Sequence, residues 1–64
     1  MKMAYNQINK HYDQYEAAYR YLEENFGHHV PYMFADLIPH LIRCLDTGVS
    51  EGQFKRDANK MYNL

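Results

Sequence analysis

The residues Tyr5, Ile8, Tyr12, Tyr15, Tyr19, Leu22 and Phe26 recur in steps of three and four. A helix turns once every 3.6 residues, so this alternation predicts one helix carrying all seven on a single face. No Pro or Gly interrupts the span, and Gly27 follows it at once. The spacing therefore predicts a first helix over about residues 4–26. It starts without a strong cap and ends at a glycine suited to the left-handed conformation.

Three consecutive stripe positions, Tyr12, Tyr15 and Tyr19, are Tyr where a plain bundle core carries Leu. A Tyr ring buries well, but its hydroxyl needs water or a partner. The three rings are expected to point inward with hydroxyls at the rim, or to form a Tyr-rich surface open to a partner. Tyr21 falls off the stripe and is expected to be exposed. Ala4, His11 and Ala18 form a row of mostly small residues beside the stripe, where a second helix could approach closely. Glu16 precedes Arg20 by four residues, the favourable order for an ion pair on the outer face.

The stretch from Tyr32 to Leu45 is mostly apolar, and Phe34, Leu37, Ile38, Leu41, Ile42 and Leu45 make a wide helical face. A second helix is expected over about 31–47, opened by Pro31 and ended by Gly48. Pro39 stands in its middle, where it removes one backbone hydrogen bond and crowds the carbonyl of Ala35. This helix is expected to kink or break there. Ser50 and Gln53 form a capping box, and Val49 and Phe54 a hydrophobic staple, so a third helix is expected over about 51–62. Its inward stripe is Phe54, Ala58 and Met61, with Lys55, Arg56 and Lys60 outward. The expected fold is all-α: a single three-helix domain with the second helix between the other two.

Sixty-four residues with one Cys give a small core and no internal disulfide. Such a chain gains stability from a metal, from a second subunit or partner, or from helix packing alone. The net charge of −1, with signs mixed along the chain, lacks the basic footprint of a typical nucleic-acid binder. The longest apolar run is too short to span a bilayer, and the start shows no basic-then-apolar leader pattern. A single free thiol suits a reducing compartment, so a cytoplasmic protein is expected.

These residues bear on four kinds of chemistry. Asp36, His40 and Cys44 are spaced four apart and could ligate zinc, with His28 or His29 completing the set. No paired Cys or recognised metal spacing accompanies them, Cys44 reads more simply as a small core residue, and no cofactor is expected. The His40–Cys44 pair lacks the orienting group, oxyanion site and pocket that nucleophilic catalysis needs, and no phosphate loop or serine elbow is present. The chain is therefore expected not to be an enzyme. The segment Cys44–Arg56 resembles a helix-turn-helix over about a dozen residues, with Lys55, Arg56 and Lys60 as its phosphate-facing cations within 41–60. Arg43, Thr47 and Asp57 depart from that pattern, and Glu51 and Asp57 would repel phosphates.

Tyr and Met outside the core favour the fourth kind, protein binding. The expected contact residues are Tyr12, Tyr15, Tyr19, Tyr21, Tyr32 and Tyr62. The expected function is that of a small regulator or inhibitor acting on a protein partner, with a homodimer as one form of it. A small DNA-binding module is the alternative.

Overall fold

Asp13 divides the N-terminal stripe. In the computed structural model, which describes residues 3–27 and 33–62, a 3-10 segment spans Tyr5–Lys10 and helix α1 spans Gln14–Phe26. Between them the backbones of His11 and Asp13 are extended. The side chain of Asp13 accepts the N–H of Glu16 at 3.1 Å. That N-cap bond requires the capping residue itself to leave the helical region. His11 Nδ1 accepts the N–H of Asp13 at 3.1 Å and holds the corner. The single helix expected over about 4–26 is thus corrected to two segments.

The restart at Asp13 turns the buried face of α1 by about 100°, roughly one residue. Ala17, Ala18, Tyr21 and Leu22 are buried, whereas Tyr12 is 94% and Tyr15 62% exposed. The expectation that the rings of Tyr12 and Tyr15 point inward is therefore wrong. So is the expected exposure of Tyr21, which is 1% exposed. Two alanines on the inner face let α1 lie close against α2, its main packing partner. Tyr15 in that place would hold the helices apart and bury a hydroxyl. The small-residue row did include Ala18, which lies at the centre of the buried face.

Helix α2 spans Phe34–Asp46 and passes through Pro39 without interruption, so the helix is not broken there. Pro39 and Ala35 are both exposed, so the lost bond falls on the solvent side of the helix. Phe34, Leu37, Ile38, Leu41 and Cys44 are buried, with Ile42 and Leu45 packed at the edge. Replacing Pro39 by Ala should restore one helical bond and stabilise the domain by about 1–2 kcal/mol, read as a rise in urea midpoint. A fall would mean that the packing of α2 needs the shape Pro39 imposes.

The turn after α2 closes by the N–H of Val49 bonding the carbonyl of Cys44 at 2.8 Å and that of Gly48 the carbonyl of Leu45 at 3.3 Å. This pair of bonds is the Schellman motif, and it needs the left-handed φ of +78° that Gly48 adopts. Helix α3, Glu51–Tyr62, then starts on Ser50, whose Oγ accepts the N–H of Gln53 at 3.3 Å. The Gln53 side chain turns away to Asp57 and Arg56 and leaves the reciprocal half of the capping box unmade. Phe54 and Ala58 are buried, but Met61 is half exposed, so the inward stripe stops one turn early.

The fold is all-α. Helix α2 packs on α1 and on α3, and the 3-10 segment lies against α1 and α2 with Ile8 fully buried. The core gathers around Phe54, whose ring lies 5.8–6.4 Å from those of Tyr5, Tyr21, Phe26 and His40.

Candidate functional site

The six tyrosines expected at a partner surface separate into different environments. Tyr12 stands just before the α1 cap, its ring stacked on His11 at 4.9 Å and otherwise in solvent. Tyr15 follows in the first turn. Tyr19, one turn further, is half-buried, with its ring edge-on to Phe34 at 5.3 Å. Exposure falls from Tyr12 through Tyr15 to Tyr19, but Tyr12 precedes the Asp13 cap and shares no helical register with the other two. Tyr62 is half-buried and donates its hydroxyl to Asp36 Oδ2 at 3.1 Å, tying the end of α3 to the start of α2. Tyr32, like His28 and His29, lies outside the described residues.

Tyr21 leaves the contact set, because its ring sits in the core and its hydroxyl donates to Glu51 Oε2 at 2.6 Å. Burial, then that bond and the Glu51 charge, push its phenol far above the ordinary 10.0. Tyr5 works beside it. Its hydroxyl donates to the carbonyl of Val49 at 2.8 Å, and its ring meets that of Tyr21 edge-on at 5.8 Å. Between the 3-10 segment, the last turns of α1 and the start of α3 lies an open cleft of about 490 Å³. Met3, Tyr5, Asn6, Tyr21, Asn25 and Glu51 line it. A three-helix domain of this size is expected to have little room for such a cleft. The three-four spacing puts Tyr5 and Tyr21 on different faces of one helix, which holds only if the helix is continuous. The Asp13–Glu16 pair, a carboxylate cap with Glu three residues on, was the signal that could have found the break.

The metal candidates do not converge. Asp36 and Cys44 are eight residues apart on α2, about 12 Å along its axis, so no single ion reaches both. Asp36 bonds Tyr62 instead, and His40 Nε2 lies 3.6 Å from Cys44 Sγ. Among the described residues no group of three His, Cys, Asp or Glu side chains is placed to hold a metal ion. Burial and the nearby Asp57 carboxylate, opposed by Arg43, push the Cys44 thiol up from its ordinary value. The sulfur therefore keeps its proton near neutrality, the opposite of an activated nucleophile.

The cations of α3 are partly engaged within their own helix. Lys55 pairs with Glu51 at 3.6 Å, and Arg56 donates to Gln53 at 3.0 Å. Lys60 is exposed. Asp57 receives the Gln53 amide at 2.8 Å, so carboxylates are interspersed with the cations along this helix.

No family model matches the chain, nor does any curated protein or solved structure. Among the described residues no helix is long and apolar enough to cross a membrane.

Proposed function

We propose that this chain is a non-enzymatic protein that binds a protein partner in the cytoplasm, as a regulator or inhibitor. The observation that carries the reading is the pair Tyr12 and Tyr15. Both large aromatic rings are left mostly in water, on either side of the Asp13 cap. Aromatic side chains cost little conformational entropy to order and are enriched where interfaces gain most of their energy. The cytoplasmic assignment rests on the single free thiol.

The test is a Tyr12→Ala, Tyr15→Ala double variant in a capture experiment from nuclease-treated lysate. Neither ring supports the core, so thermal unfolding should stay within about 0.5 kcal/mol of the parent. Partner affinity should fall by about 30-fold or more, the scale of one interface hot spot. Unchanged recovery of the same partner would remove this surface from the interface. A second copy of the chain counts as a partner here, and sedimentation reads that case directly.

A small DNA-binding module is the second reading. It is favoured by the tight turn joining α2 to α3 and by the exposure of Arg56 and Lys60 beyond it. It expects salt-dependent duplex binding that is lost on Lys55→Glu, Arg56→Glu. Absence of duplex binding at about 50 mM salt, where the phosphate term is strong, would dismiss it.

A further inference from the structure

We infer that the cleft beside Glu51 receives the cationic end of a lysine or arginine side chain supplied by the protein partner, with Glu51 as its counter-ion. This rests on the protein-binding reading but uses a different surface and can fail separately.

The carboxylate is held in place before any ligand arrives. Buried Tyr21 fixes Oε2 through the 2.6 Å bond, and the Lys55 contact at 3.6 Å falls on the same oxygen. Among the described residues Oε1 has no partner, and the Glu51 side chain is 45% exposed where it lines the cleft. Half-buried Tyr5 lines the same space, whereas the Tyr21 ring is closed off in the core. A carboxylate attracts an ammonium or guanidinium through its charge and accepts its hydrogen bonds.

On the α1 side the surroundings favour a cation, while the N-terminus of α3, which begins at Glu51, is already matched by the Glu51 carboxylate. Helix α1 ends beside the cleft with no basic residue in its last turn, where the helix carbonyls favour one. Glu24, in that turn but outside the cleft lining, holds Met3 in place, its Oε1 accepting the N–H of Met3 at 2.7 Å. Asn25 uses its amide N–H on the carbonyl of Tyr21 and keeps its side-chain oxygen as an acceptor. Both tyrosine hydroxyls already donate elsewhere, to Val49 and to Glu51, so neither proton is free for an anion. Lys55 already pairs with Glu51 from the next turn of α3 and does not line the cleft. Its pairing is long and solvent-exposed, the kind of contact that an incoming cation displaces at little cost.

The test is an NMR titration of the isotopically labelled chain with N-acetyl-arginine amide, N-acetyl-lysine amide and the neutral N-acetyl-citrulline amide. The cationic probes should give saturable shifts at Tyr5, Asn25 and Glu51, and the citrulline probe none. Glu51→Gln keeps an acceptor for Tyr21 and should weaken the probes about tenfold. Lys55→Gln removes the internal competitor and should tighten them about threefold. An equal response to citrulline, no saturable shift up to about 50 mM probe, or no effect of Glu51→Gln would each overturn the site. In the capture experiment Glu51→Gln should also reduce partner recovery. Intact recovery with a positive titration would overturn the partner as the source of the cation. A flat titration with Tyr12-dependent capture intact would overturn the cleft and leave the protein-binding reading standing.

Discussion

Phe54→Ala is expected to abolish cooperative folding near room temperature. Phe54 is fully buried, and it is where the separate segments of the chain meet. Its ring contacts come from the 3-10 segment through Tyr5, from α1 through Tyr21 and Phe26, and from α2 through His40. Truncating a core Phe costs about 3–5 kcal/mol in lost transfer energy and residual cavity. A domain of this size has a total stability of about 3–5 kcal/mol, so the loss removes nearly all of it. Far-UV circular dichroism with urea titration reads the outcome: a strongly reduced helical signal, and no resolved transition for Phe54→Ala. Phe54→Leu keeps most of the volume and should lose only about 1–1.5 kcal/mol, which separates a packing role from intolerance of any change. A cooperative transition in Phe54→Ala within about 1 kcal/mol of the parent would mean that α3 is not anchored through this ring.

The apolar residues of α2 and the turn chemistry after it were legible because each depends on local rules. Phe34, Leu37, Ile38 and Leu41 repeat at helical spacing on one buried face. Gly48, Val49 and Ser50 announce a helix stop and a new start, and the Schellman bonds and the Ser50 cap form there. The first 27 residues read differently because two signals compete. The three-four recurrence favours one continuous helix, whereas Asp13 with Glu16 favours a new start in its middle. Capping chemistry and close approach prevailed over periodicity, since Ala17 and Ala18 admit α2 where the tyrosines could not. That single outcome moved Tyr21 from the expected contact surface into the core and left Tyr12 and Tyr15 in solvent. The cleft was illegible for the same reason. It requires Tyr5 of the 3-10 segment, Tyr21 and Asn25 of α1 and Glu51 of α3 to meet across a break that spacing alone does not reveal.

The second large effect is loss of stability in alkali, and Tyr21 should dominate it. Burial raises the Tyr21 phenol above the ordinary 10.0, and its bond to Glu51 and the charge of that carboxylate add to the rise. Burial also raises Tyr5, with Cys44 and Glu51 contributing, and Tyr62 shifts in the same direction. The Cys44 thiol is raised from 9.0. Each is an acid whose neutral form the folded chain favours. Between the ordinary and the raised value, the unfolded chain has lost the proton and the folded chain keeps it. The unfolded state then binds fewer protons, so stability falls as pH rises. Stability should therefore hold up to about pH 9, decline first through Cys44, and fall steeply above pH 10. One fully shifted group contributes at most about 1.4 kcal/mol per pH unit, which bounds the slope that Tyr21 adds above pH 10. Tyr21→Phe isolates this contribution. At pH 8 the variant lacks the bond to Glu51 and should be about 1 kcal/mol less stable than the parent. Above pH 10 it has no proton to lose at that site, so its stability should fall less steeply. The two stability curves should then cross near about pH 11. Parallel curves with no crossing would show that the Tyr21–Glu51 bond does not carry the alkaline response.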